Sequence, residues 1–320
     1  MFQKTIKKEI TVKGIRQSDG YETFIKFTPT ESGLWVIYEN NIEPISSYLV
    51  NKDERRFTSS ILVGNKIITM VEHVFSAVNG LGIDNLVIEF GSDEAPFFAN
   101  SEYFSKILNE NILEIKDQNK EYYKINKEIE IKGENGQYCM ITPSDDFCID
   151  ITIDFDGVIG RQSFLYSFKK TDYLKDVAYA RSILTFEIKD INNPWVDFNR
   201  HFDQFPYTLP ENPRESPYIS YTEKEFLTPL SDALEPVRHK LLDFIGDLIF
   251  LGKIPLGRFE VYKPGHAFNR KIVETIFFLG ESHNLQFEYF FKKIPEINLL
   301  KDCVENNIVH KEDVLTHTKT

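Results

Sequence analysis

The segment VRHKLLDFIGDLIFLG, residues 237–252, has the spacing of an amphipathic helix with a stripe of Leu, Ile and Phe to bury. Within it, His239, Asp243 and Asp247 recur every four residues, so a helix places them in line along one face. A helix that only filled a core would not need an imidazole and two carboxylates in a row. The segment therefore predicts a core-forming helix that also lines a chemical site.

Composition predicts a folded protein of about two domains. The chain has 320 residues, of which 42% are hydrophobic and 27% are charged, so it can bury a sizeable core. Its net charge of -12 argues against general nucleic-acid binding, which needs a basic face. The 3 cysteines form no CxxC pair, which disfavours a disulfide framework. We see no apolar signal region at the start and no apolar run of membrane-spanning length, so we expect a soluble, cytoplasmic protein.

The order of predicted elements indicates an internal duplication. Strands, a helix, a strand and a second helix follow one another in each half of the chain, which predicts an α+β fold. We place an N-terminal domain at residues 1–120, a C-terminal domain at 121–300 and a tail at 301–320. The boundary falls in a polar segment, residues 114–127.

Three local features give more specific expectations. Thr69 resembles the N-cap of the first helix, with Glu72 completing a capping box. Thr171 resembles the N-cap of a long helix, TDYLKDVAYARSILTFEI. A segment rich in proline and aromatic residues, near 190–222, cannot be a regular helix, and we expect it to form an ordered insert that covers something.

Residues on two predicted helices have the types and spacing of a metal site. His239 and Asp243, four residues apart, can both face one ion, and His73 is the best candidate for a third ligand. Two imidazoles and a carboxylate suit Zn²⁺, and Fe²⁺ also suits such ligands. Glu72, next to His73, is a candidate general base.

A third histidine supplies the remaining chemistry. His266 follows a Pro-Gly turn and is a candidate general acid or oxyanion stabiliser, with Asp247 as its hydrogen-bond partner. Taken singly, each motif is more typical of a purely structural role: a capping Glu beside a satisfied His, an i,i+4 surface pair, or a common turn. Their joint occurrence favours a hydrolytic metal site.

Two longer stretches carry a resemblance to a known family. TMVEHVFSAVNGLGIDNLVIEF, residues 69–90, and VRHKLLDFIGDLIFLGKIPLGRFEVYKPGHAFNRKI, residues 237–272, resemble the two signature regions of the UDP-3-O-acyl-N-acetylglucosamine deacetylases, zinc amidases of lipid A biosynthesis. The order of elements is similar from about residue 5 to residue 295. The resemblance implies two similar α+β domains whose helices are sandwiched between two sheets.

The resemblance also implies roles for individual residues. It makes His73, His239 and Asp243 the zinc ligands. Glu72 becomes the general base and His266 the general acid, paired with Asp247. Further positions follow from the same motifs: a catalytic and substrate-facing Lys240, a Lys263 that meets the nucleotide diphosphate, a substrate-binding Asn269, and a Ser182 whose hydroxyl helps to hold the oxyanion.

Four segments depart from the family pattern. The turn at residues 14–20 lacks the usual histidine, and residues 96–101 lack the usual Asp-Gly pair. Residues 180–185 read ARSILT where the family has Ala-Arg-Thr-Phe-Gly-Phe, and the acyl-binding insert is unrecognisable within 190–222. The metal and base positions are intact while substrate-facing parts differ. We therefore expect the acyl passage to be rebuilt, shortened or closed.

Three functions remain open on the sequence. The first is deacetylation of a UDP-linked N-acetyl amino sugar in lipid A biosynthesis. The second is deacetylation of another N-acetyl sugar or related small molecule by a paralogue. The third is a zinc-bound pseudoenzyme with a binding role, which the retained Glu72 and His266 disfavour because a structural metal site needs no base. The sequence leaves the oligomeric state unknown.

Overall fold

The computed structural model describes residues 1–45, 58–185 and 213–279 of the chain. Residues 190–212 of the predicted insert, and the predicted tail, lie outside the described residues. The strands are β1 (Phe2–Ile6), β2 (Ile10–Ile15), β3 (Glu22–Pro29), β4 (Leu34–Tyr38), β5 (Asn41–Pro44), β6 (Ser60–Val63), β7 (Lys66–Thr69), β8 (Leu86–Phe90), β9 (Ile112–Asn119), β10 (Tyr123–Lys124), β11 (Ile129–Lys132), β12 (Tyr138–Pro143), β13 (Phe147–Asp154), β14 (Arg161–Ser167), β15 (Ile183–Thr185), β16 (Ile219–Tyr221) and β17 (Pro255–Tyr262).

The helices are fewer and lie between the strands in the chain. They are α1 (Glu72–Gly80), α2 (Glu102–Glu110), α3 (Tyr173–Asp176), α4 (Glu235–Asp247) and α5 (His266–Leu279), with short 3-10 turns at Pro213–Glu215 and Leu248–Leu251. Within the described ranges, none of the helices has the length and apolar character that crossing a membrane requires.

Two main sheets have the same strand order and directions. One has the order β2-β3-β8-β4-β5, and the other β11-β12-β17-β13-β14, with β10 added beside β17. In each sheet the last strand along the chain lies between the second and third, parallel to the third and antiparallel to the second. This match in topology confirms the predicted α+β class and agrees with the predicted duplication. The division at residue 120, between β9 and β10, stays a prediction.

Alternating side chains explain why these segments form half-buried strands. In β13 the isoleucines point inward at every second position while Cys148, Asp150 and Thr152 are partly exposed. In β17 a buried Phe259 and Val261 alternate with the exposed Arg258 and Glu260 in the same way. Each sheet therefore presents one apolar face, and the helices pack against it.

Helices α1 and α4 occupy equivalent places in the two repeats and pack against each other. All 9 residues of α1 are buried. Polar side chains fix how the two helices are aligned: Ser76 Oγ donates to the Leu242 carbonyl at 2.7 Å, and Asn79 Nδ2 donates to the Ile245 carbonyl at 2.7 Å. At the crossing, a Cβ on Gly246 would lie 2.3 Å from the Glu72 carbonyl oxygen. The two helices meet where only a glycine fits.

We expect Gly246→Ala to destabilise the protein. Helix propensity alone predicts a gain of up to about 1 kcal/mol for this change, whereas the clash with the Glu72 backbone predicts a loss of about 1–3 kcal/mol. Denaturant unfolding measures the sign directly. Gly265→Ala is the matched control, because a Cβ there meets its nearest neighbour, Gln137 Nε2, at 3.8 Å. A stability gain in Gly246→Ala would contradict the close-packing argument.

Two helix predictions are wrong. Thr69 is the last residue of β7 and not an N-cap; α1 begins at Glu72 after Met70, whose φ of 63° turns the chain into the helix. The long helix predicted from Thr171 is only the four residues of α3, capped by Asp172. The apolar spacing suggested a longer helix, but the residues that follow use their backbone groups elsewhere: the Ala178 carbonyl accepts from Ser101 N at 3.1 Å.

Candidate metal centre and active site

Two histidines from the two repeats meet at the junction of α1 and α4. His73 lies in the first turn of α1 and His239 in the second turn of α4, and their ring centroids are 5.5 Å apart. The Nδ1–H of His73 donates to the Phe98 carbonyl at 2.7 Å, and that of His239 donates to the Ala180 carbonyl at 3.1 Å. A carbonyl can only accept, so each neutral ring keeps the lone pair of Nε2 available.

Asp243 completes a cluster of three possible ligand atoms. Its Oδ1 lies 3.4 Å from His239 Nε2 and 3.9 Å from His73 Nε2, and the ligand atoms of the three residues all lie within 4.8 Å of one another. Oδ1 is buried and has no hydrogen-bond partner among the described residues. An orphaned carboxylate oxygen beside two Nε2 atoms fits a divalent cation, because a buried charge is otherwise costly.

The protonation states favoured by the surroundings suit metal ligands. Burial lowers the pKa of His239 to about 3, because a positive charge is costly where water is excluded. Burial alone would raise the pKa of Asp243, but attraction to His239 and to the Lys240 ammonium outweighs burial and lowers that pKa. A neutral imidazole and a charged carboxylate are the forms that bind a cation.

Glu72 opens helix α1 directly before His73. Its side chain is only 3% exposed. Carboxylate Oε2 accepts hydrogen bonds from the Thr58 hydroxyl at 2.9 Å and from the Ser59 amide at 3.0 Å. Over the parts of the chain that the structure describes, Oε1 has no such bond, which leaves it able to accept a proton from a reactant.

His266 approaches the cluster from helix α5. Its Nδ1 lies 3.0 Å from Asp247 Oδ2, and its Nε2 lies 3.8 Å from Asp243 Oδ2. Burial disfavours the charged imidazolium, but the carboxylates of Asp247 and Asp243 outweigh burial and raise the pKa of His266 to about 9. The three polar residues along α4 therefore face one site: His239 and Asp243 line the cluster, and Asp247 holds His266.

Asn269 contacts Asp247. The predicted substrate contact stays a prediction; the side chain is fully buried, at 0% exposure. Its Nδ2 donates to Asp247 Oδ2 at 2.8 Å, and its Oδ1 accepts from the Gly265 amide at 3.3 Å. Both the nitrogen and the oxygen of the Asn269 amide are therefore hydrogen-bonded within the protein. Asn269 lies about one helical turn after His266 on α5.

Two further predicted residues contact the cluster, and a third, Lys263, precedes His266 by three residues. Lys240 Nζ donates to Asp243 Oδ2 at 2.8 Å. The Ser182 hydroxyl lies 3.5 Å from His73 Nε2 and donates to the Ala99 carbonyl at 3.1 Å. Lys263 is part-exposed, lies 3.5 Å from an Asp154 carboxylate oxygen and sits over the ring of Tyr262. Its φ of 55° belongs to the turn that leads into His266.

An ion pair that the sequence did not indicate anchors the segment around Ser182. Arg181 Nε donates to Glu235 Oε1 at 2.7 Å, and Arg181 Nη2 donates to Glu235 Oε2 at 3.0 Å. Glu235 is fully buried and opens α4. The pair ties the stretch that contains Ala180 and Ser182 to the helix that carries His239. The only sequence signal was the Ala-Arg dipeptide, which by itself has no chemical meaning.

A carboxylate and an imidazole beside a metal-type cluster are groups that a hydrolase can use. Comparison with known proteins agrees. The chain belongs to the UDP-3-O-acyl N-acetylglycosamine deacetylase (LpxC) family, whose model matches residues 3–193 and 216–278. The family resemblance read from the sequence is thereby confirmed.

Individual relatives are similar over most of their length. A UDP-3-O-acyl-N-acetylglucosamine deacetylase of Nitratiruptor sp. is 29% identical over 295 residues, which cover 89% of this chain and 93% of that protein. Proteins of the same name from Campylobacter hominis and Neisseria meningitidis are each 28% identical, and the matches cover 94% and 90% of those proteins. The similarity extends across both repeats of the fold.

Proposed function

We propose that this chain removes the acetyl group from the amide nitrogen of a UDP-linked, 3-O-acylated N-acetylglucosamine, the deacetylation step of lipid A biosynthesis. The observation that carries the proposal is the cluster of His73, His239 and Asp243, with Glu72 and His266 beside it in a chain that belongs to the LpxC family. A cytoplasmic location remains a prediction from the sequence.

The metal that we propose is zinc, with ferrous iron as the alternative. Two imidazoles and one carboxylate suit both ions, and three protein ligands leave a position open, as catalytic zinc sites do. When bound, such an ion supplies Lewis-acid polarisation to the amide carbonyl and to water. His73, His239 and Asp243 would hold it through two Nε2 atoms and Oδ1.

Glu72 is the proposed general base. It takes a proton from the attacking water as the new C–O bond forms at the acetyl carbon. The two hydrogen bonds to Oε2 support this role, because they hold the carboxylate in one orientation while Oε1 keeps its lone pairs. A base positioned in this way typically contributes about 10²–10⁴-fold to the rate.

His266 is the proposed general acid. As the C–N bond breaks, its Nε2–H donates a proton to the leaving amine nitrogen, which becomes the free amine of the sugar. Asp247 supports this role because it accepts the Nδ1–H and fixes the ring, so that Nε2 faces Asp243. Asn269 in turn holds Asp247.

The proposed substrate contacts are cations and a hydroxyl at the edge of the cluster. Lys240 balances negative charge beside Asp243, and the Ser182 hydroxyl borders the space where the oxyanion develops. Lys263, part-exposed near the Tyr262 ring, is the proposed partner of the diphosphate. These three assignments are proposals from position and charge.

The test of the substrate varies only the acyl chain. If an apolar passage receives the chain, kcat/KM on UDP-linked N-acetylglucosamine rises with 3-O-acyl length, and every one or two methylenes stabilise the transition state by about 1 kcal/mol. Equal turnover of unacylated and acylated substrates would instead favour a paralogue with the altered passage that the sequence predicts. The insert that would form the passage lies largely outside the described residues.

The same substrate series tests the remaining alternative, a metal-bound pseudoenzyme with a binding role. The metal-loaded protein should release acetate from at least one N-acetyl sugar. If it turned over none of them, the proposed deacetylase function would fail and the pseudoenzyme reading would replace it.

A further inference from the structure

Two adjacent residues outside the predicted motifs, Thr58 and Ser59, contact both the candidate base and the candidate acid. They immediately precede strand β6. The Thr58 hydroxyl donates to Glu72 Oε2 at 2.9 Å, and the Ser59 amide donates to the same oxygen at 3.0 Å. The Ser59 hydroxyl donates to Asp247 Oδ1 and lies 3.0 Å from His266 Nδ1. The dipeptide thereby contacts the candidate base Glu72 as well as the pair formed by Asp247 and His266.

Thr58 also fixes the turn from which Glu72 projects. Its hydroxyl oxygen accepts from the Met70 amide at 3.0 Å. Met70 has a φ of 63°, a conformation that costs energy for a residue with a side chain and persists only where its surroundings impose it. Helix α1 starts two residues later with Glu72. The hydroxyl therefore determines both the entry of the chain into α1 and the orientation of the first carboxylate.

Because these groups are buried, losing one of these hydrogen bonds is energetically costly. Ser59 is 9% exposed, Glu72 3% and Asp247 2%, so water cannot readily replace a lost donor. A buried carboxylate that loses a donor turns toward another partner, and this change removes it from its working position. Hydrogen bonds to charged groups are also the strong ones.

We infer that Thr58 and Ser59 are positioning residues for the hydrolysis. Thr58 and the Ser59 amide hold the base Glu72, while the Ser59 hydroxyl holds Asp247 and, through it, the acid His266. This inference rests on the proposed function, since it assigns to the pair the alignment of its base and acid. Neither residue was indicated by sequence spacing, because neither belongs to a motif that carries chemistry by itself.

Two variants test separately the contact with the base Glu72 and the contact with Asp247, which holds the acid. Thr58→Val removes the hydroxyl that contacts Glu72. Ser59→Ala removes the hydroxyl that contacts Asp247 but keeps the amide that contacts Glu72. We expect each change to lower kcat by roughly 10- to 100-fold, the range for a lost hydrogen bond to a charged group. KM should change by less than about threefold, because the residues orient reacting groups and do not bind the sugar.

Double-mutant cycles distinguish positioning from a general structural role. In a Glu72→Gln background, Thr58→Val should have little further effect on kcat, because the group it orients no longer acts as a base. In an Asp247→Asn background, Ser59→Ala should likewise lose most of its effect. The matched control is Thr275→Val, which removes a buried hydroxyl that donates to the Lys271 carbonyl at 2.7 Å. It should alter the melting temperature and leave kcat unchanged.

Each outcome decides the inference. Equal losses of kcat for Thr58→Val in the wild-type and Glu72→Gln backgrounds would overturn it, as would a loss of melting temperature alone. If the wild-type protein hydrolysed no N-acetyl sugar, the proposed function would fail separately. Unfolding constants then test the contact without substrate: coupling of at least about threefold between Thr58→Val and Glu72→Ala, which removes the accepting carboxylate, is expected, and its absence would also overturn the inference.

Discussion

Replacing Glu72 with Gln lowers kcat by about 10²–10⁴-fold while the metal content and the fold persist. Glutamine has the shape of glutamate, and its amide oxygen can accept the donors from Thr58 and Ser59 that now reach Oε2. That orientation turns the amide NH₂ to the position of Oε1, where it cannot accept a proton. The variant therefore isolates the proton transfer from the geometry of the site.

Steady-state kinetics with metal analysis on the same preparation measure this effect. Glu94→Gln is the matched control, because Glu94 is also a buried glutamate that accepts backbone amides, those of Gln17 and Ser18. It should retain kcat within a few-fold. A Glu72→Gln variant with wild-type kcat and full metal content would remove Glu72 from the mechanism.

The regular elements of the fold could be predicted because their signals are local. Alternation over β13 and β17, and the amphipathic pattern of residues 237–252, need only neighbouring residues to be recognised. The placement of β8 between β3 and β4 could not be predicted, because a strand carries no local signal of which strands it will pair with. The helix expected after Thr171 failed for a related reason. Tyr173, Val177 and Ala178 are buried as expected, but the carbonyls of Ala178 and Ala180 serve distant partners.

The candidate site divides in the same way. The alignment of His239, Asp243 and Asp247 on one face follows from helix geometry alone. The backbone carbonyls of Phe98 and Ala180, which set the tautomers of the two histidines, have no residue signature, since every residue has a carbonyl. The roles of those two carbonyls therefore required the fold.

Two of the segments that depart from the family pattern, residues 14–20 and 96–101, make hydrogen bonds to other parts of this chain. In the turn without the usual histidine, Gln17 Nε2 donates to the Tyr218 hydroxyl and Phe97 N donates to the Ile15 carbonyl at 2.9 Å. Asn100, in place of the usual glycine, donates to the Tyr179 carbonyl at 2.8 Å and accepts from Glu102 N at the start of α2. Hydrogen bonds to distant parts of the chain therefore hold both segments in place.

Removing a direct ligand should abolish tight metal binding. His239→Ala deletes one of the two Nε2 atoms that face Asp243 Oδ1, and this oxygen then has one imidazole nearby instead of two. Loss of a residue that only orients a ligand costs about 10- to 100-fold in metal affinity, so loss of the ligand should cost at least about 100-fold.

Metal analysis of the purified wild-type protein should give about one divalent ion per chain, and the variant should hold a small fraction of that. His266→Ala is the matched control: it removes a neighbouring, part-buried imidazole that contacts Asp247, and it should keep its metal while losing activity. Full occupancy in His239→Ala would refute the assignment of the three ligands.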